Sequence, residues 1–382
     1  MRRWPVVMAL CCVAVVLLFP GTGLADPARG DLRWYSEAMR LPQAQELADG
    51  GGITVAVVDT GVDAFHPDLA GRVLRGATIT PTGVEPGGDF DPDGHGTAMA
   101  GLIAGDSDSG DELIGVAPKA HVLPVRIARG EDGTLDTDLV YRGVRWAIDQ
   151  GARVVNLSLA GEPTVDAEWK RDLIGYAIDH DAVIVAAVGN RADPHDHPMV
   201  GEPASIPGVV AVSGMGRDGL LWGGSAEGDS VVLCAPAEDV PHIRPGGGVR
   251  PASGTSAATA LVSGTAALIE SRYPGSSAGD VISRLIDTAV DAGQPGRDRQ
   301  FGFGVVDAYS ALTAAVAPNR DYFPLDLPAL VAPAAETESM GGWWLAAPLG
   351  LAGTATGGLA VWVVRRLRHR PLLPADVLDK VM

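Results

Sequence analysis

At 382 residues the chain is long enough for one large domain with accessory segments. Its formal net charge of -18 excludes nucleic acid as a partner held through a basic surface. Cys11 and Cys12 fall in an amino-terminal apolar stretch; without it only Cys234 remains, so the fold must stand on packing with no internal disulfide.

Residues 1–25 read as a secretory signal. Arg2 and Arg3 precede an apolar run from Val6 to Phe19, and Gly23-Leu24-Ala25 forms a small-residue cleavage site. A lipoprotein site is a poorer match, because bulky Leu10 precedes Cys11. Residues 26–52 form a short polar arm with one helical stretch, Leu41 to Ala48, too small to fold alone.

Ile53 to Val58 is a continuous apolar, β-branched run closed by Asp59-Thr60-Gly61, the pattern of a buried parallel strand ending in a carboxylate. Helix-like and strand-like stretches then alternate. His95 to Ala104, Asp136 to Asp149, Trp169 to Asp179 and Ala278 to Thr288 read as helices, with a last one within Gly302 to Ala315. Ala120 to Ile127, Val154 to Leu159, Ala182 to Val188, Val209 to Ser213 and Ser230 to Cys234 read as strands. The alternation predicts an α/β fold, a mostly parallel sheet with helices on both faces, over residues 53–316.

Residues 317–342 are Pro- and Ala-rich and aperiodic, as in a linker. Trp343 to Val364 carries no charge and, at 1.5 Å per residue, is long enough for a hydrocarbon core of about 30 Å. Trp343, Trp344 and Trp362 sit at its ends, and residues 365–382 bring a basic excess that predicts a cytoplasmic tail. The expected topology is a cell-membrane protein with one carboxy-terminal transmembrane helix and its main domain outside.

Chemistry concentrates in three short motifs: Val58-Asp59-Thr60-Gly61, Gly94-His95-Gly96-Thr97 and Gly254-Thr255-Ser256-Ala257. Ser256 heads an uncharged, small-residue helix, where unpaired N–H groups favour developing negative charge. Each motif alone also fits a turn or a cap; the order Asp, His, Ser, each at the edge of an element, points to nucleophilic catalysis.

With these motifs the chain resembles the subtilisin-like serine proteases. The likeness spans Gly52 to Ala315 and includes His66-Pro67-Asp68-Leu69, Gly115 to Ala120, Val154 to Gly161, Val185 to Asn190 and Phe301 to Leu312. It implies a subtilisin-like three-layer fold with about seven parallel strands. It also implies Ser256 as nucleophile, His95 as base, Asp59 as its orienting carboxylate and Asn190 as oxyanion donor. Polypeptide substrates would pair along Ser158, Leu159 and Ala160, with Gly189 and Gly201 around the pocket for the residue before the cut. Ala160 and Ala260 stand where the family usually has Gly and Pro.

The resemblance requires no cofactor and leaves structural calcium unlocated. Asp89, Asp91, Asp93 and Gly94 imitate a calcium loop, but Ala100 occupies the position of the bidentate acid, so the stretch reads as a solvated acidic loop. His195-Asp196-His197 reads as a surface turn. The short arm, terminal span and basic tail are similar to those of mycosins, membrane proteases associated with type VII secretion, which implies secretion-complex partners. The rival readings are a non-proteolytic scaffold of a membrane complex and a freely shed degradative protease.

Overall fold

The computed structural model describes residues 33–106, 114–128, 136–161, 168–191 and 199–319. The signal segment, the terminal span, the basic tail, nearly all of the linker and the His195–His197 turn lie outside the described residues. Among those described, no helix is long and apolar enough to cross a membrane.

Eight strands form one sheet: β1 (Thr54–Asp59), β2 (Ala77–Thr80), β3 (Gly83–Pro86), β4 (His121–Ile127), β5 (Val154–Leu157), β6 (Val183–Ala187), β7 (Val210–Met215) and β8 (Leu233–Pro236). Their order is β3-β2-β4-β1-β5-β6-β7-β8. All neighbours are parallel except β2 and β3. The expected seven parallel strands are therefore present, with one antiparallel strand added at the edge. The fully buried runs of the inner strands β5, β6 and β7 follow from cover on both faces.

Helices supply that cover: α1 (Trp34–Ala38), α2 (Leu41–Gln45), α3 (His95–Ala104), α4 (Thr137–Asp149), α5 (Glu168–Asp179), α6 (Thr255–Arg272), α7 (Ala278–Asp287) and α8 (Ala308–Thr313). α3 and α6 pack on each other and on the sheet, while α4 packs on α5 and the sheet. A Cβ on Gly143 of α4 would touch Val58 at 3.3 Å, whereas one on Gly96 of α3 would touch Asp59 at 3.2 Å. Successive β1 residues thus face opposite layers, and this alternation turns Asp59 toward α3. β9 (Val240–Ile243) and β10 (Val249–Ala252) form a separate antiparallel hairpin whose Ile243 lies against Gly101 of α3.

The arm is part of the main body. Met39 and Ala44 are fully buried and Leu41 nearly so. Arg40 pairs with Asp307 and Ser310 beside α8, and Gln45 donates to the carbonyls of Gly115 and Val116 at 2.7 and 3.0 Å. Cys234 is a buried free thiol, held protonated by burial, its pKa pushed up to about 12.

Candidate active site

The site forms where β1, β5 and β6 end at their carboxyl edge and α3 and α6 begin, the place where open α/β sheets put their ligands. Asp59, the last residue of β1, is nearly inaccessible; the His95 side chain, first in α3, is 34% exposed. His95 Nδ1 lies 2.8 and 2.9 Å from the two Asp59 oxygens. The carboxylate accepts, so Nδ1 carries a proton. Asp59 Oδ1 also accepts the Thr60 N–H at 2.7 Å, which fixes the carboxylate plane. The approach of α3 to β1 demands glycine, since a Cβ at Gly96 would lie 2.0 Å from the Gly61 carbonyl.

Ser256 is the second residue of α6 and the only half-exposed one in a stretch buried from Thr255 to Glu270. Its hydroxyl donates to the Ser158 carbonyl at 3.1 Å, and the Ser158 hydroxyl donates to the Ser256 carbonyl at 2.9 Å. This reciprocal pair ties the first turn of α6 to the segment following β5. The chain continues inward: Asn156 donates to Ser158 Oγ at 3.0 Å and accepts from Ser263 at 3.0 Å. A helix start held by side-chain hydrogen bonds has its unpaired N–H groups aimed outward.

Asn190 Oδ1 accepts from the Thr255 N–H at 2.9 Å and from its hydroxyl at 3.1 Å. These bonds bring the Asn190 amide against Gly254 and the first turn of α6. A Cβ on Gly254 would stand 3.8 Å from Asn190 Nδ2 and 3.9 Å from the Ser256 nitrogen. The Asn190 amide and the Ser256 N–H thus lie around the same point at the start of α6, where the resemblance expects the oxyanion donors.

Leu159 and Ala160 are half-buried beyond the end of β5. A Cβ on Gly201 would lie 3.2 Å from the Ala160 methyl and 2.9 Å from the Gly161 carbonyl. Gly161 and Glu202 exchange backbone hydrogen bonds at 2.8 and 3.0 Å, which closes the two walls on each other. Gly189, with φ 102°, sits directly before Asn190 in a conformation that favours glycine. The nine residues singled out from the sequence thus fall at the carboxyl edge of β1, β5 and β6, in the loops beside it, or in the first turns of α3 and α6.

The acidic loop needs correction. Asp91 is 4% exposed and is a hub, not a solvated charge. It accepts from Thr60 Oγ1 at 2.8 Å, Gly94 N at 2.8 Å, Thr97 N at 2.8 Å, Thr97 Oγ1 at 2.7 Å and Asp93 N at 3.2 Å. Burial raises its pKa, but the donors from Thr97, Gly94 and Thr60 outweigh it and hold the carboxyl below its ordinary range. Among the described residues no group of three or more acidic, His or Cys side chains could hold a metal. The sequence reading quoted Thr60 and Thr97 without a role and took Asp91 for a solvated charge; Asn156 and Ser263 it did not single out, and their one signal is a polar residue inside an apolar strand or helix pattern.

His242 on β9 is buried, its Nδ1 2.6 Å from the Val240 carbonyl. Burial, with smaller contributions from His95 and Arg250, lowers its pKa to about 4, so it stays neutral near the Asp59–His95 pair.

An aspartate-oriented imidazole and an N-terminal helix serine on a doubly covered parallel sheet define a serine hydrolase. The Subtilase family profile matches residues 50–304, and the chain belongs to that family as a serine-type endopeptidase. It is 32% identical to thermitase of Thermoactinomyces vulgaris, over 75% of this chain and 98% of that one. It is 30% identical to Mycosin-1 of Mycobacterium tuberculosis, over 87% of this chain and 83% of that one. Among solved structures it resembles the MycP3 protease from the type VII (ESX-3) secretion system, with TM-score 0.63, 31% identity, and coverage of 73% of this chain and 88% of that one.

Proposed function

We propose that this chain is a membrane-anchored endopeptidase of mycosin type that cuts a limited set of extracytoplasmic proteins beside a type VII secretion complex. The observation that carries the chemistry is the Asp59 carboxylate held against His95 Nδ1 at 2.8 and 2.9 Å. The likeness to Mycosin-1 over 87% of the chain, more than the family profile spans, supports the subgroup. The uncharged stretch Trp343 to Val364 with its basic flank supports the anchor.

The Ser256 hydroxyl turns from the Ser158 carbonyl to His95 Nε2, gives up its proton and attacks the scissile carbonyl. The oxyanion is held by the Ser256 N–H and Asn190 Nδ2. Asp59 stabilises the imidazolium, which then protonates the leaving amine and frees the carboxy-terminal product. Water, deprotonated by His95, attacks the Ser256 ester and releases the second product. The strand edge Ser158 to Ala160 holds the substrate backbone by strand addition. The narrow room at Gly201, where even a Cβ would come within 3.2 Å of the Ala160 methyl, supports a restricted substrate set.

The test is separation of membranes from culture medium, followed by comparison of the extracytoplasmic peptides of the parent strain and a Ser256→Ala strain. The proposal expects activity in membranes and a small set of fragments missing from the variant. Activity confined to the medium would support the shed protease, and identical fragments with a lost secretion phenotype would support the scaffold.

A further inference from the structure

Two loops attached to the catalytic pair carry an exposed surface that the reaction itself does not use. Residues 61–66 follow Asp59, and residues 87–93 lead into His95. They are joined by the Val62 N–H to the Gly88 carbonyl at 2.8 Å and the Ala64 N–H to the Asp89 carbonyl at 3.4 Å. Phe65 and Phe90, next to those bonded residues, are 90% and 65% exposed. The two loops run close together: a Cβ at Gly61 would lie 2.2 Å from the Phe90 carbonyl.

Around the two rings stand Asp63, half-buried, and Asp89 and Asp93, both exposed. Asp63 faces the β9–β10 hairpin through the Gly246 N–H at 3.4 Å, and Asp93 accepts the His95 N–H at 3.2 Å. Neither residues 59–71 nor residues 87–105 contain a lysine or arginine. The exposed cations on the hairpin are Arg244 and Arg250, on the flanks of its turn.

The position relative to the cut follows from the chemistry. Ser158, Leu159, Ala160, Gly189 and Gly201 hold the acyl side, on β5 and β6. His95 delivers its proton to the departing amine, so the departing segment begins at His95 and runs out over the loops fastened to it. We infer that Phe65, Phe90 and Asp89, with Asp63 beneath them, form a docking surface for the substrate segment after the scissile bond. The surface favours a segment combining lysine or arginine with bulky apolar side chains. The rings offer apolar contact and faces for a cation, and the carboxylates add opposite charge. The same field disfavours acidic segments. This rests on the protease reading and deepens it by naming a substrate class.

The experiment digests a proteome-derived peptide library with wild-type protein and with the triple variant Phe65→Ser, Phe90→Ser, Asp89→Asn, and reads the residues after each cut. Turnover of 4-nitrophenyl butyrate, which has nothing of a peptide beyond the cut, reports the catalytic centre separately. The expected result is an enrichment of Lys, Arg and large apolar residues of about tenfold over Asp and Glu in the first positions after the cut. The variant loses it while it still turns over the ester. Cleavage with no such enrichment, or enrichment that survives in the variant, overturns the inference and leaves the protease reading intact. Absence of both ester and peptide turnover in the wild type removes both. Should the triple variant lose its near-UV circular dichroism, Phe65→Ser alone is read the same way.

Discussion

Asp91 shows how much of a candidate active site is decided by a residue buried beneath it. Its carboxylate gathers donors from Thr60, Gly94 and Thr97, joining the end of β1 to the first turn of α3 and so fixing Asp59 against His95. Asp91→Asn turns an amide donor toward other donors, and the expected loss is about 3 kcal/mol of stability in urea titration together with a fall in kcat. Asn190→Ala removes one oxyanion donor, with an expected fall of about 10²–10³ in kcat and little change in KM. His242 gives a pH signature. Its pKa of about 4 in the folded protein lies below the ordinary 6.5, so the native state resists protonation. The stability it contributes is complete above pH 6.5 and is lost as pH falls toward 4, roughly 3 kcal/mol in all. Urea midpoints across that window should fall more steeply for the wild type than for His242→Gln.

At the scale of elements, α6 is the piece on which nucleophile and core both depend. Its near end carries Ser256, and at its far end buried Glu270 meets Arg153 at 3.0 Å beside β5. Burial raises the Glu270 pKa to about 7 despite Arg153. Here the folded state holds the proton more tightly, so the contribution is complete below pH 4.5 and lost as pH rises through 7. The expectation is that Glu270→Gln flattens the decline in thermal midpoint between pH 4.5 and 7 relative to the wild type. The window overlaps that of His242 with opposite sign, so the two are separated only by variants. α6 and α3 were legible in the sequence because small-residue runs behind Gly-Thr-Ser and Gly-His-Gly have few other uses. The helix expected within Gly302 to Ala315 is found at Ala308–Thr313; Asp307 caps it, and Val305 before it bridges to Val290 and Cys234. The β9–β10 hairpin was not legible, because Pro241, Pro245 and Pro251 interrupt it and its pairing lies outside the main sheet. β3 was hidden for a different reason: it is an exposed edge strand with no apolar alternation.

Across the whole molecule, the arm is a structural part of the protease body. Residues 34–48 fill a surface between α8 and the loop at Gly115, burying Tyr35, Met39 and Leu41. The docking was not legible because two helices of only five residues each are too short for an apolar periodicity to show which face is covered, or by what. Met39→Ala is expected to cost about 2–5 kcal/mol in urea titration, as for a core position; a loss near zero would mean the arm is an appendage. The account as a whole stands on Ser256 being an activated nucleophile, and intact-mass measurement after exposure to a fluorophosphonate tests that most directly. The predicted result is one adduct per chain, mapped to the peptide holding Ser256, and at least about 10³-fold slower labelling in Asp59→Asn. No adduct on the folded wild-type protein, or an adduct on another residue, would contradict it.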